Sequence, residues 1–291
     1  MQRRQRKYTA LGVVCIAAYV TTNTAYGAGI PFSVIGPREY TLPLNFKPFL
    51  EFVQSVETNV DRTSFGSDGN YRDGTSGYTL TTSSKLAYLF QINGLRNVGF
   101  EAEAIIPASR ITSGPQATTG IGDPVAGLAV WTKPSARTVM GAQDYLILPL
   151  GSAGLSSAHT SNIFSIFGDL VIGRWDLDGD IGLIAPLSYT SRQGEPAQRA
   201  GNSYFANMRI SYQILTFIEP FTGIDWQNTS MSWSVNNGHP VRATEGHEIA
   251  TLVGLMWHLP KGSLSASWHY GLAGRNAIRT NSVILRWIHA F

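Results

Sequence analysis

Ser267 and His269 are the two residues of this sequence whose types and spacing come closest to a nucleophile and its base. Both lie on the polar side of "SLSASWHYGL", in which every second residue is apolar. Nucleophilic catalysis needs a base in contact with the nucleophile and a third group that orients the base. No nucleophile motif surrounds Ser267, and any polar strand face produces the same spacing. The sequence therefore predicts that the chain is not an enzyme.

Acidic and histidine side chains gather in two further stretches where a cation could bind. The first stretch has no zinc-helix signature, and the second lacks the spacing of a calcium-binding EF-hand loop. Both are interpreted as solvated loops. A phosphate loop and a dinucleotide fingerprint are also missing, so the sequence predicts no metal and no cofactor. The residues are His239, Glu245, His247 and Glu248 in "GHPVRATEGHE", and Asp61, Asp68 and Asp73 between 59 and 76.

The positive net charge of the chain comes from its first seven residues. Of the 22 Lys and Arg residues, four lie in "MQRRQRK", which contains no Asp or Glu. The remainder has 18 basic residues (22 minus 4) against 19 acidic ones, a formal charge of −1. Nucleic-acid binding depends on a basic patch. None remains, so nucleic acid is excluded as a partner.

The N-terminal residues 1–27 have the layout of a cleavable secretory signal. A basic start is followed by the apolar run "YTALGVVCIAAYV", and Ala25 and Gly27 provide small residues before a cut at Ala28. Cys15, the single cysteine, lies within the apolar run. The mature chain is therefore expected to be exported and free of thiols, as suits an oxidising compartment.

The exported chain has the composition of a membrane β-barrel. Charged residues make up 14%, against about 25% in soluble domains. After the signal there is no apolar run long enough for a membrane-spanning helix. Strict alternation recurs instead, as in "SYFANMRISYQI", where apolar residues oppose Asn207, Arg209 and Ser211. Alternation of this kind indicates strands that place one face against lipid and the other in a lumen.

Twelve antiparallel strands are predicted between residues 46 and 291, which form the barrel. Short connections alternate with long ones, as in bacterial outer-membrane barrels with short periplasmic turns and longer external loops. "DLDGD" is interpreted as one of the short turns because Asp-Gly steps favour tight hairpins. Five aromatic residues are predicted to lie at the inner membrane interface, and a water-soluble sandwich or ligand-binding barrel remains an alternative. The strands are 46–58, 77–92, 97–107, 123–132, 138–150, 162–175, 181–191, 202–214, 219–231, 247–259, 263–273 and 282–291, and the aromatic residues are Phe90, Trp131, Trp175, Trp257 and Trp287.

The predicted inward faces carry charges of both signs. A twelve-stranded barrel lies between the filled eight-stranded barrels and the aqueous sixteen-stranded ones, so mixed charges suit a narrow bore. The alternative is that the charges pair and only stiffen the wall. Residues 28–45 carry three prolines and several apolar side chains, and they are predicted to fold into the lumen as a partial plug. The lumen candidates are Glu51, Lys85, Glu101, Glu103, Arg209, Glu219, Asp225 and Arg286.

The stretch "TTGIGDPVAGLAVW" resembles a known family, the outer-membrane proteins of the phenol meta-pathway degradation (transporter-like) type. The resemblance rests on Gly120, Gly122, Asp123 and Gly127. "DYLILPLGSAG" is similar to a later element of the family, with Leu150 where Thr is usual. The glycines are expected to permit unusual backbone angles, and Asp123 to bond to local amides.

Membership implies an outer-membrane barrel that passes small hydrophobic or aromatic molecules. The partners it implies are outer-membrane lipid, lipopolysaccharide and small hydrophobic solutes, with no catalysis by the barrel itself. Two alternatives stay open. One is a lipid-modifying barrel enzyme that uses Ser267 and His269, and the other is a structural or surface-interaction barrel.

The final ten residues, "SVILRWIHAF", read as the closing strand. Apolar residues occupy most second positions up to a terminal aromatic, so Trp287 and Phe291 resemble the signal read by the barrel-assembly machinery. An apolar end of this kind is explained if the strand pairs with the first one and removes the free edges of the sheet.

Overall fold

The computed structural model describes residues 35–95, 97–190, 197–235 and 245–291, with the backbone alone for 61, 62 and 74–76. Twelve antiparallel strands form a closed barrel, in which the first strand, Phe49–Phe65, pairs with both Tyr71–Phe90 and Asn281–Ala290. The predicted signal peptide lies outside the described residues. The barrel strands are β1 (Phe49–Phe65), β2 (Tyr71–Phe90), β3 (Val98–Ser113), β5 (Val125–Ser135), β6 (Thr138–Ile147), β7 (Ser161–Ile172), β8 (Trp175–Pro186), β10 (Ser203–Tyr212), β11 (Ile218–Thr229), β13 (Gly246–Leu259), β14 (Gly262–Arg275) and β16 (Asn281–Ala290).

Four short strands extend the barrel at one end. β4 (Gln116–Ile121) pairs with β3, and β15 (Ala277–Ile278) pairs with β1. β9 (Gln198–Arg199) and β12 (Trp233–Ser234) pair with each other. This end, which we name the long-loop end, carries the longer connections, while tight turns such as 173–174 and 260–261 form the opposite, short-turn end. The predicted alternation of connection lengths is present for most hairpins but not for the first, since residues 66–70 between β1 and β2 are fewer than residues 91–97 between β2 and β3.

The strand faces follow the alternation in the sequence. In β10, Phe205, Asn207 and Arg209 are buried toward the interior, while Tyr204 and Met208 are exposed on the outer face. The backbone amides of a closed sheet are all paired within it, so an apolar outer surface is compatible with lipid. The fold class predicted from the sequence, a twelve-stranded antiparallel barrel of outer-membrane type, is confirmed.

The interpretation of "DLDGD" as a turn is wrong. The chain turns two residues earlier, at Gly173 (φ 64°) and Arg174, and β8 already begins at Trp175. Asp176, Asp178 and Asp180 therefore lie on the buried face of β8. Because the chain turns at Gly173 and Arg174, Asp169 of β7 can lie on the inner face of the barrel while Arg174 lies in the turn. Neither charged side chain then lies on the lipid face.

Two other expectations are corrected by the strands. The stretch between 59 and 76, interpreted above as a solvated loop, instead extends the first hairpin. β1 continues to Phe65 and β2 starts at Tyr71, so Asp68 lies in the turn and Asp73 on a strand. Glu248 is a buried residue of β13 and not part of a solvated loop, and His239 lies outside the described residues. Among the described residues no helix is long and apolar enough to span a membrane.

Candidate lumen and its N-terminal segment

Residues 35–48, which we name the N-terminal segment, lie inside the barrel near the short-turn end. Tyr40 is buried and stacks on Phe167 of β7, with ring centroids 4.3 Å apart. Trp131 of β5 is 1% exposed and donates from Nε1 to the Pro43 carbonyl at 2.9 Å. The expectation that Trp131 lies at the membrane interface is therefore wrong, since its ring faces the segment. Lys133 also donates to the segment, from Nζ to the Leu42 carbonyl at 3.3 Å.

Glu39 is the centre of one charged cluster between the segment and the wall. Its Oε2 lies 2.5 Å from Arg286 Nη1 of β16, and its Oε1 lies 3.3 Å from Lys85 Nζ of β2. Lys85 also contacts Glu103 of β3 at 3.2 Å. Burial alone would raise the pKa of Glu39, but the charges of Arg286 and Lys85 and the Gly36 amide lower it to about 2. Glu39 is therefore ionised at neutral pH.

Arg38 forms a second cluster on the opposite side of the segment. Its Nε lies 2.7 Å from Oε1 of Glu219 on β11, and its Nη1 lies 3.4 Å from Asp176 of β8. Glu219 is fully buried, accepts from Ser211 and has its Oε2 2.7 Å from His258 Nε2. Arg38 has a φ of 55°, a left-handed backbone that costs a non-glycine residue free energy. The ion pairs hold the segment in this conformation.

Arg209 on β10 forms a third cluster deeper in the barrel. Its Nη1 lies 2.6 Å from Asp225 of β11, and its Nε donates to the Ile35 carbonyl at 3.1 Å. Asp225 Oδ2 also lies 3.4 Å from Nδ1 of His269, whose Nε2 is 2.9 Å from Ser267 Oγ. Arg209 and Asp225 are each 1% exposed, so their charges depend on each other for neutralisation.

Replacing Arg209 alone should destabilise the barrel strongly. Arg209→Met leaves the buried Asp225 carboxylate without its cation, and breaking such a pair costs about 3–5 kcal/mol. We expect the temperature at which the protein loses its folded mobility on a detergent gel to fall markedly. Arg209→Met combined with Asp225→Leu removes both charges and should recover most of that loss. Equal stability of the single variant and the wild type would contradict the prediction.

A cavity of about 350 Å³ lies between the segment and the barrel wall. Its size falls within the range of small-molecule sites. The charged residues of its lining include Glu51, Lys85, Glu101, Glu103 and Arg286. The apolar residues of its lining include Leu89, Ile105, Val125, Ala129, Ile163, Phe167 and Phe205. The cavity therefore offers both apolar and charged groups to a small molecule.

The eight lumen candidates from the sequence fall into these groups. Lys85, Glu103 and Arg286 gather around Glu39, Glu219 binds Arg38, and Arg209 pairs with Asp225, while Glu51 and Glu101 line the cavity. Sequence reasoning missed the segment residues that bind them. The missed residues are Arg38, Glu39 and Tyr40, with Asp176 and Asp178 on the wall. The available signal for the first three was the apolar content of residues 28–45, on which the prediction of a lumenal segment rests.

The "GIGD" block joins two connections at the long-loop end. Asp123 accepts from the Gly151 amide at 2.9 Å and from the amide and hydroxyl of Ser157 at 2.7 and 2.6 Å. Its partners are 28 and 34 residues away in the chain, so the expectation of local bonds is wrong. The expected unusual angles are also wrong, because neither Gly120 nor Gly122 has a positive φ.

Space is limited around the glycines of this block, most severely at Gly127. A side chain at Gly127 would collide with the Asp144 carbonyl and the Tyr145 ring of β6. At Gly122 a Cβ would lie 3.1 Å from Pro107, and at Gly120 it would lie 2.5 Å from Ser152 Oγ. The block therefore lets neighbouring strands and the 148–160 loop pack closely.

Asp123→Ala should release the 148–160 loop. The substitution removes a buried acceptor of three hydrogen bonds, and hydrogen bonds to a charged group contribute about 1.5–3 kcal/mol each. We expect limited proteolysis to cut within 148–160 much faster than in the wild type. Asp123→Asn keeps one acceptor oxygen and should give an intermediate rate. Identical cleavage in all three proteins would argue against this role.

The family relationship follows from the sequence as a whole. A family described as "Putative MetA-pathway of phenol degradation" matches residues 50–287. The chain belongs to this family. The match begins one residue inside β1 and ends within β16. In this member of the phenol-degradation family, the matched range thus covers the barrel and leaves the N-terminal segment outside. No curated protein matches the chain by sequence.

Solved structures are similar to this phenol-degradation family member to different degrees, all at low identity. An outer membrane channel from Pseudomonas putida F1 has a TM-score of 0.74 at 16% identity, over 88% of this chain and 100% of that one. A deletion mutant of the monoaromatic hydrocarbon channel TodX has a TM-score of 0.46 at 8% identity, over 93% and 97%. A FadL homologue from Pseudomonas aeruginosa has 0.44 at 9%, over 93% and 96%. The score of 0.74 shows that this barrel has the fold of the Pseudomonas putida F1 channel.

Proposed function

We propose that this chain is an outer-membrane channel for the passive passage of small hydrophobic or aromatic molecules. The observation that carries the proposal is the cavity of about 350 Å³ inside a closed barrel, with an apolar wall that includes Phe167 and Phe205. The family description, which names phenol degradation, supports an aromatic solute. Such solutes cross a lipopolysaccharide layer slowly, and a barrel interior provides them with a separate path.

The same proposal assigns roles to the remaining parts of the chain. Residues 1–27 direct export and are removed, residues 28–45 act as a partial plug of the lumen, and residues 46–291 form the barrel in the outer membrane. Trp287 and Phe291 serve the barrel-assembly machinery. Support for the last role comes from β16, where Val283, Leu285 and Trp287 are exposed on the outer face. The outer face meets lipid, and the long-loop end meets lipopolysaccharide.

Uptake by cells tests the proposal. Cells that contain the protein should take up phenol or toluene faster than cells that lack it, with no matching gain for a sugar of similar size. Ala129→Phe fills the cavity from β5, where Ala129 is buried, and should remove the gain. Ala126→Phe adds the same ring to the exposed face of β5 and is the matched control. Equal uptake of aromatic compounds with and without the protein would refute transport.

A hydrolase is the second candidate function, because Ser267, His269 and Asp225 lie in the order of a catalytic triad. The Ser267 Oγ to His269 Nε2 distance of 2.9 Å suits proton transfer. Hydrolysis also needs donors that stabilise the oxyanion. Ser267 has register partners on both sides, Gly254 and Ile284, so the sheet occupies the nearby amides. This observation favours the channel.

A fluorophosphonate probe distinguishes the two candidates. The probe reacts covalently with an activated serine, so a hydrolase would be labelled and its Ser267→Ala variant would not. We expect no labelling of the folded wild-type protein and unchanged aromatic uptake by Ser267→Ala. Labelling that disappears only in Ser267→Ala would favour the enzyme instead.

A further inference from the structure

We propose that Asp169, Asp176 and Asp178 form a binding site for a hard divalent cation beneath the N-terminal segment. One carboxylate oxygen from each residue can be chosen so that all three lie within 4.8 Å of one another. Asp169 on β7 is the register partner of Asp178 on β8, and Asp176 lies two residues before Asp178 on the same face. The "DLDGD" stretch thus supplies two of the three ligands.

The burial of these carboxylates sets the site apart from an ordinary acidic surface. Asp169 is 4% exposed, and Asp176 and Asp178 are 1% exposed. Ionised groups removed from water require a compensating charge or hydrogen bonds. Like charges directly opposite each other on neighbouring strands are also destabilising. Three buried acids in this arrangement therefore call for a cation between them.

The hydrogen bonds leave one oxygen of each carboxylate available. Asp178 Oδ1 accepts from the Tyr40 amide at 3.0 Å, and Asp176 Oδ2 accepts from Thr41 Oγ1 at 3.3 Å. The second oxygens, Asp176 Oδ1 and Asp178 Oδ2, have no hydrogen-bond partner among the described residues, and neither does Asp169 Oδ1. These are buried, unpartnered acceptors, which is what a bound cation would satisfy.

The surrounding side chains do not neutralise the group. Arg38 is the nearest cation, but its Nε is bound to Glu219 and only Nη1 reaches Asp176, at 3.4 Å. The formal charges of the four acids and two bases in contact or in electrostatic reach sum to −2, the charge that one divalent cation balances. The acids are Asp169, Asp176, Asp178 and Glu219, and the bases are Arg38 and Lys133.

Calcium is the cation whose chemistry fits this set best. Ca²⁺ takes six to eight oxygen ligands in flexible geometry, and carboxylates can each give one or two. Mg²⁺ demands a near-ideal octahedron and keeps more of its water, so it should compete weakly. The proposal goes beyond the channel function, and its test does not depend on transport.

Calorimetric titration of the purified full-length protein in detergent tests the site, after chelator treatment and dialysis. Wild type should bind Ca²⁺, with one site lost or weakened at least tenfold in Asp176→Asn/Asp178→Asn. Asp144→Asn is the matched control. Asp144 is exposed on β6 and carries a carboxylate outside the cluster, so its loss should leave the titration unchanged. Any Ca²⁺ that binds to acids of the external loops contributes equally to the titrations of all three proteins. It therefore does not affect the differences between them.

Two results would overturn the proposal. One is a wild-type protein that binds no more Ca²⁺ than the double variant, which would mean that the carboxylates are neutralised by protons. The other is an equal loss of binding in Asp144→Asn. Heat-modifiable mobility on a detergent gel identifies folded variants. If the double variant does not fold, Asp169→Asn removes the third ligand, and it should weaken Ca²⁺ binding at least tenfold.

Discussion

A variant that lacks residues 28–45 will conduct several times more current per channel than the complete chain. The deletion removes residues 35–45 of the N-terminal segment, which lies in the interior near the short-turn end, where Tyr40 packs on Phe167 and Trp131 bonds to Pro43. Without it, water and ions enter the space that it fills. The barrel should survive, because the closing pairs between Glu51–Asn59 of β1 and Ser282–Ala290 of β16 do not involve the segment. Single-channel recording in planar bilayers measures the effect.

The control for this deletion keeps the segment and alters a residue outside its contacts. Lys47 is exposed at the end of the segment, so Lys47→Ala should leave the current unchanged. Heat-modifiable mobility of the deletion variant would show that its barrel is closed. A folded deletion variant with wild-type conductance would mean that the segment does not restrict the lumen.

The second large effect is expected from Glu39→Gln. The pKa of Glu39 lies at about 2 against an ordinary 4.5, a difference that corresponds to about 3 kcal/mol of docking free energy. Loss of that charge leaves Arg286 and Lys85 without their shared anion at neutral pH. We expect the variant to occupy a high-conductance state far more often than wild type, by roughly a hundredfold in the open-to-closed ratio.

The pH dependence of wild type follows from the same lowered pKa. A lowered pKa gives stabilisation that is complete above the ordinary value and disappears as the pH falls through the folded-state value. The wild-type current should therefore stay constant from neutral pH down to roughly pH 5 and rise as the pH approaches about 2. Glu245→Gln, which changes an exposed acid next to β13, should behave as wild type. Wild-type gating in Glu39→Gln would contradict the role of ionised Glu39 in holding the N-terminal segment in place.

The clearest strands were predictable because each of them carries its own two-residue period. In β10 and β14 the apolar and polar faces can be read without any neighbour, and the closed sheet uses every such face in the same way. "DLDGD" was not predictable on the same basis. Its Asp-Gly step favours a turn locally, but Gly173 and Arg174 already make the turn, and register then sends Asp176 and Asp178 inward. Partners from the N-terminal segment, more than 130 residues earlier, stabilise them there.

The contacts of the lumen were the part that sequence could not provide. Inward positions for Lys85 and Arg286 follow from alternation, but their shared partner Glu39 comes from a stretch with no period at all. The prediction that Trp131 lies at the membrane interface was wrong for a related reason. The alternation of β5 predicts that its side chain points inward. Aromatic residues near strand ends are, however, also typical of the membrane interface. Its contact with the N-terminal segment, which the sequence does not reveal, distinguishes the inward position from the interface position.

The Glu39–Arg286 ion pair joins residues 247 positions apart in the chain. Arg286 reaches the lumen only once β16 has taken its place beside β1 and β14, at the end of the polypeptide. The segment before β1 must therefore already be inside when the last strand docks, or enter afterwards through an open end. In either case this pair forms late. Its formation therefore reports that the barrel wall is complete and that the N-terminal segment is in place inside it.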